Sequence, residues 1–135
     1  MTQAPLFLTF AEAVEIHRYQ IEHFGGDPGI RDVELLRSAL AMPSATFDGR
    51  FLHSSIEEMA AAYLFHLVED HPFVDGNKRI GTMAALVFLD LNGYEFDAKD
   101  EELIEVVMKT ASGKKTKAEL ASFFRMHSRR RARRA

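Results

Sequence analysis

Residues 78–92 read KRIGTMAALVFLDLN. Beyond its first turn this segment is apolar on nearly every side, so a helix built from it runs through the centre of a bundle. It closes at Asn92-Gly93, where glycine can take the left-handed conformation that ends a helix. The residues before it, His71-Pro72-Phe73-Val74-Asp75-Gly76-Asn77, therefore form a loop carried on a rigid base.

Outward from this pair the punctuation is helical. Three S/T-x-x-E capping boxes, Thr9 with Glu12, Ser55 with Glu58 and Thr116 with Glu119, stand in front of amphipathic segments. The first predicted helix runs to about Phe24, stopped by Gly25-Gly26 in a left-handed turn, with Val14, Ile16, Ile21 and Phe24 facing inward. The second starts at Asp32 as N-cap and ends before Pro43, and the third spans Ile56 to about Asp70. A fourth opens at Asn77 or Lys78, a fifth follows Asp100 to near Gly113, and a sixth follows Thr116. Residues 45–53, ATFDGRFLH, hold an Asp48-Gly49 turn between short runs carrying Phe47 and Phe51, the pattern of a small β-hairpin. The fold class is all-α: a bundle of about six helices with one hairpin, in a single domain over residues 1–128, followed by a basic tail at 129–135.

The chain's 135 residues, 47% hydrophobic, suffice for one modest core. With no Cys, disulfides and thiolate chemistry are excluded. The N-terminus has no basic region and meets Glu12 and Glu15 early, unlike a signal peptide. The longest apolar run, Ile80 to Leu91, is broken by Asp90 and is far short of the roughly 20 residues a bilayer requires. A cytoplasmic protein without membrane contact is expected. Residues 1–113 carry 8 Lys and Arg against 19 Asp and Glu, a net of −11, whereas residues 114–135 carry 9 against 1, a net of +8. Arg129, Arg130, Arg131, Arg133 and Arg134 lack interleaved aromatics, so a frayed, solvated tail is expected ahead of a nucleic-acid surface.

The loop has the ingredients of a phosphate site. Gly76-Asn77 ahead of a helix leaves backbone N–H groups unpaired and aimed outward, where the helix dipole favours an anion. Gly76 lets the backbone turn and approach closely, and Asn77 tolerates the dihedrals of such a nest. Lys78 and Arg79 add cations at a terminus that disfavours them, a conflict that a resident anion resolves. Asp75 is a hard oxygen ligand beside the anion, the usual setting for Mg²⁺. His71 belongs to the one side-chain type that changes charge near neutral pH, suited to accepting a hydroxyl proton. Pro72 ends the third helix, while Phe73 and Val74 are expected to pin the loop to the core. His17, His23, His53 and His127 are read as ordinary surface or interface residues. His66 and His71 lack the i, i+4 spacing of a zinc site.

The stretch HPFVDGNKR closely resembles the Fic motif HPFx[D/E]GN[G/K]R. GGDPGIRDVELLRSAL, the P-x-x-x-F-D-G segment and AALVFLDLNGYEF resemble the death-on-curing, or Doc, branch of that family, over about residues 8–97. The resemblance implies a Fic-fold bundle. It implies His71 as general base, Asp75 as Mg²⁺ ligand, Gly76, Asn77 and Lys78 as anion nest, Arg79 as phosphate clamp, and the hairpin as a flap that pins the target. ATP and Mg²⁺ are the implied cofactors. Doc-type enzymes transfer the γ-phosphate of ATP to elongation factor Tu, whereas Fic enzymes generally transfer AMP. Lys78, where most AMP-transferring members have Gly, points to phosphate transfer; Gly76, the wider Fic choice, keeps AMP transfer open. The self-inhibitory [S/T]-x-x-x-E-[G/N] helix has no good counterpart, since Ser54 to Glu58 continues with Met59. Inhibition by a Phd-like antitoxin is therefore the implied regulation. A non-catalytic phosphate- or nucleic-acid-binding module is the alternative.

Overall fold

In the computed structural model, which describes residues 4–132, four of the six helices begin at a side-chain cap. Helix α1 spans Phe10–Phe24, with Thr9 and Glu12 capping each other reciprocally. Helix α6, Lys117–His127, does the same with Thr116 and Glu119. Helix α2, Val33–Ala41, is capped by Asp32, whose carboxylate accepts from the Leu35 amide. A 3₁₀ turn over Met42–Ser44 follows, with Pro43 in its first turn. Helix α3, Ile56–Asp70, is capped by Ser55. Its box is not reciprocal, because the Glu58 carboxylate accepts instead from the amide and hydroxyl of Ser54. Helix α4, Asn77–Leu91, and helix α5, Asp100–Ala111, complete the six predicted helices.

The hairpin is present as β1, Thr46–Phe47, against β2, Arg50–Phe51. Asp48 and Gly49 both take positive φ, 53° and 77°, as a two-residue turn matching the strand twist requires. A second antiparallel pair was not expected. Strand β3, Tyr94–Phe96, pairs with β4, Ser128–Arg130. The start of the basic tail is thus a strand and not a frayed end. Arg129 and Arg131 pair with Glu95 and Asp90, setting the tail's positive charge against the acidic body. Arg133 and Arg134 lie outside the described residues.

The core is centred on α3 as much as on α4. Met59, Ala60, Ala61, Ala62, Tyr63, Leu64, Leu67 and Val68 of α3 are all buried, whereas α4 exposes Leu91 at its far end. The two helices approach closely at Gly81. A Cβ there would meet the Leu64 carbonyl oxygen at 3.2 Å and Val68 Cγ2 at 3.1 Å, so a larger residue would press the two helices apart by a few tenths of an ångström. On α1 the inward face is set by Ala13, His17, Gln20 and Ile21, a spacing of four, three and one that forms one helical stripe. Val14 and Ile16 are half-buried, and Phe24, expected inside, is 64% exposed.

His66 lies at the α3–α6 contact, its Nε2 3.0 Å from Lys117 Nζ. Burial, then the Lys117 ammonium, then His53 push its imidazole down to about 4. Protonation is thus penalised in the fold but not in the unfolded chain, where the value is about 6.5. This contribution to stability is complete above about pH 6.5 and is lost as pH falls towards 4. Burial depresses His53 in the same direction. The melting temperature is expected to drop across this window, and His66→Gln to flatten the drop. An unchanged slope in the variant would show that His66 does not carry it.

Among the described residues no helix is long and apolar enough to cross a membrane.

Candidate functional site

The loop between α3 and α4 has a left-handed residue at each of its two ends. His71 ends α3 in the left-handed region, φ 48° and ψ 54°, a conformation that costs a non-glycine residue energy and is held by its surroundings. The holding residue is Arg31, whose Nε donates to the His71 carbonyl at 2.6 Å and whose Nη2 donates to the Asp70 carbonyl at 2.8 Å. A guanidinium on the final carbonyls of α3 also answers the negative end of its dipole. Gly76 begins α4, again left-handed at φ 78°.

The chain between these ends is strapped along the 29–32 segment. The Arg31 and Asp32 amides both donate to the Pro72 carbonyl, at 2.8 and 3.0 Å, and the Val74 amide donates to the Gly29 carbonyl at 3.0 Å. Phe73 forms a bridge with Ile30 and is 1% exposed. It pins the loop as predicted; Val74 does not, being 49% exposed.

Asn77 does not have the unusual backbone expected of it. It is the first helical residue of α4, so no unusual backbone is asked of it. Its buried amide side chain folds back on the loop instead. Oδ1 accepts from the Phe73 amide and Nδ2 donates to the Phe73 carbonyl, both at 3.0 Å. Nδ2 also lies 3.4 Å from His71 Nδ1, a separation too long to fix which ring nitrogen carries the proton.

His17, read as a surface residue, is buried at 1% exposure beneath the loop. Its ring stacks on Phe73 with centroids 3.6 Å apart, and its Nε2 lies 2.8 Å from the Asp75 carbonyl oxygen. His53, read in the same way, is also buried, next to the hairpin. A histidine alone in an amphipathic helix gives little sequence signal. The spacing Ala13, His17, Gln20, Ile21 was the available one, since it places His17 on the inward stripe. Arg31 and Asp27 were missed because they stand in a Gly/Pro-rich connection without periodicity.

An open cleft of about 560 Å³ is lined by Phe24, Gly25, Gly26, Val74 and all six predicted site residues, His71, Asp75, Gly76, Asn77, Lys78 and Arg79. The first intrahelical bond of α4 runs from the Ile80 amide to the Gly76 carbonyl, at 2.9 Å. The amides of Asn77, Lys78 and Arg79 consequently have no partner within the helix. The Asp75 carboxylate is exposed, with Oδ2 accepting from the Asp27 amide at 2.8 Å. Arg79 donates to the Gly25 carbonyl at 3.2 Å, with its guanidinium 5.3 Å from the centre of the Phe24 ring. Exposed Phe24 therefore has a place in the cleft wall. Among the described residues no three His, Asp or Glu side chains cluster as a metal cage. A cation at Asp75 would need ligand oxygens and water to complete its shell, which is how Mg²⁺ accompanies phosphates.

A helix N-terminus with free amides, two cations, a carboxylate and a histidine around one cleft suits a phosphate-bearing ligand beside a proton acceptor. The sequence model of the Fic/DOC family matches residues 7–89, and the chain belongs to that family. It is 37% identical over 106 residues to a protein of Mycolicibacterium smegmatis named Toxin Doc, an alignment spanning 74% of this chain and 82% of that protein.

Proposed function

We propose that this chain is a Doc-like toxin that transfers the γ-phosphate of ATP to a hydroxyl of a translation factor, elongation factor Tu being the expected target. The observation that carries the reading is the convergence of His71, Asp75, the free α4 amides, Lys78 and Arg79 on one cleft. In this scheme His71 takes the proton from the target hydroxyl. The hydroxyl oxygen bonds to the γ-phosphorus, the bond from that phosphorus to the β–γ bridging oxygen breaks, and ADP leaves. The α4 amides, Lys78 and Arg79 hold phosphate oxygens, so that catalysis is mainly positioning and charge stabilisation. Asp75 offers its carboxylate to Mg²⁺, which would supply charge neutralisation at the phosphates. The exposed hairpin strands β1 and β2 offer an edge on which a target segment can add as a further strand. The likeness to the mycobacterial protein named Toxin Doc supports an antitoxin partner, and a Phd-like protein met in the cytoplasm is the form proposed for it.

Two observations bear on the alternatives. Gly76 counted in favour of AMP transfer, but its φ of 78° gives glycine a conformational reason there, and Ile21 Cδ1, 3.3 Å from a built Cβ, adds a tight floor. Lys78 is then the position that speaks to the reaction. The nucleic-acid reading loses support because Arg129 and Arg131 already face carboxylates.

The test uses purified elongation factor Tu and ATP labelled separately at the γ- and α-phosphates. Wild type is expected to transfer the γ-label. Lys78→Gly is expected to lose on the order of 10²-fold of that rate, since small displacements of positioned phosphates are costly. Transfer of the α-label by wild type would establish an AMP transferase instead. Transfer of neither label, with nucleotide bound, would favour the binding-module alternative.

A further inference from the structure

We infer that His17 of α1 is a positioning residue for the loop: its imidazole holds the Asp75 carbonyl and so fixes the direction of the Asp75 carboxylate and the presentation of the α4 amides. The inference rests on the phosphoryl-transfer reading above for its consequences, but its geometry stands by itself.

Three approaches make His17, with Ile21 beside it, the floor of residues 73–76. Its Nε2 lies 2.8 Å from the Asp75 carbonyl oxygen, and a ring with its proton on Nε2 donates there. Its face stacks on Phe73 at 3.6 Å between centroids and 12° between planes. A Cβ built on Gly76 would come within 3.5 Å of the same Nε2, so the imidazole also lies directly under the turn into α4. Ile21, one turn further along α1, is 3.3 Å from that position and continues the floor. The Asp75 side chain is meanwhile held by the Asp27 amide. Asp75 is thus gripped at its carbonyl from α1 and at its carboxylate from the 25–32 connection.

Packing alone does not account for this arrangement. A phenylalanine would fill the space and stack on Phe73, yet it would leave the Asp75 carbonyl without its donor. A backbone freed at Asp75 can rotate that peptide, which turns the carboxylate and moves Gly76 together. Both groups face the cleft, so an error there is passed directly to whatever is bound.

Two substitutions separate stacking from hydrogen bonding. His17→Phe keeps an aromatic face but has no donor; His17→Gln gives up the ring and presents an amide N–H at nearly the reach of Nε2. Site-resolved amide hydrogen exchange reads the loop without requiring any catalytic activity. In His17→Phe, the amides of Asp27, Phe73 and Val74, all bonded within this assembly, are expected to exchange about tenfold faster or more. Amides of the distant β3–β4 pair serve as the control and keep their wild-type rates. In His17→Gln the loop amides return to within about threefold of wild type. In the transfer assay, kcat is expected to fall on the order of 10²-fold in His17→Phe, to fall far less in His17→Gln, and to change more than KM for ATP. Loop exchange unchanged in His17→Phe, or loop and control amides accelerated equally, overturns the inference, as does a Gln variant no better than Phe. If the exchange results hold but wild type transfers no label, the positioning role stands and the reaction is what fails.

Discussion

His71→Ala is expected to abolish target modification and growth inhibition while leaving the melting temperature within about 2 °C of wild type. Removing a general base costs about 10²–10⁴ in rate. The stability of the fold gains little from this ring, which is exposed and has one long contact, 3.4 Å to Asn77. What holds the loop end is the His71 backbone, through the Arg31 guanidinium on its carbonyl, and alanine keeps that carbonyl. The left-handed φ of 48° remains a cost for alanine as it is for histidine. The variant is therefore a clean removal of a side chain from an intact cleft. Nucleotide binding, followed by calorimetry, is expected to persist, because the α4 amides, Lys78 and Arg79 are untouched. A fully toxic His71→Ala strain would show that the proton goes elsewhere. Loss of toxicity together with loss of nucleotide binding would make His71 a binding group.

How far the chain can be read unaided differs between its local and its distant features. Helix limits were legible because their signals are local. Thr9 and Thr116 reach only three residues to their partners, and Pro43 and Pro72 terminate by their own covalent geometry. The residues that line the candidate cleft were legible for the same reason, since Gly76-Asn77, two cations, a carboxylate and a histidine fall within nine contiguous positions, His71 to Arg79. The β3–β4 pair was not. Tyr94-Glu95-Phe96 is too short to show alternation, and its partner, Ser128-Arg129-Arg130, has no apolar residue at all. Pairing there joins segments 34 residues apart, as between Glu95 and Arg129, and no local pattern announces it. The supports of the site were hidden in the same way. His17 lies 58 residues from Asp75, and Arg31 lies 40 from His71. Each reaches its target through packing that only the folded chain supplies. Asn77 shows the converse, a residue whose expected backbone is not the one it has. Its type suggested an unusual backbone, whereas its side-chain amide is what ties the loop together.

Phe73→Ala is expected to be strongly destabilising, lowering the free energy of unfolding by about 3–5 kcal/mol. That is a large fraction of the roughly 5–15 kcal/mol available to a small domain. The ring is 1% exposed and stacks on His17, and α1, the 29–32 strap and α4 all meet at residue 73. Truncation leaves a cavity at that junction, and the rigid ends of α3 and α4 restrict its collapse. It also removes the apolar cover from the buried His17 ring. The Asn77 amide bonds to the Phe73 backbone survive in principle, but the loop they organise loses its anchor, so transfer activity is expected to fall even well below the melting temperature. Phe73→Leu, which keeps much of the volume, is expected to cost much less in stability, about 1.5 kcal/mol, since it forfeits mainly the ring stacking. Urea titration of the three proteins with a common m-value measures these differences. A loss below about 1 kcal/mol in Phe73→Ala would mean that the junction collapses to fill the space. The loop would then be held mainly by the Arg31, Val74 and Asn77 hydrogen bonds, and the anchoring assigned to Phe73 would be wrong.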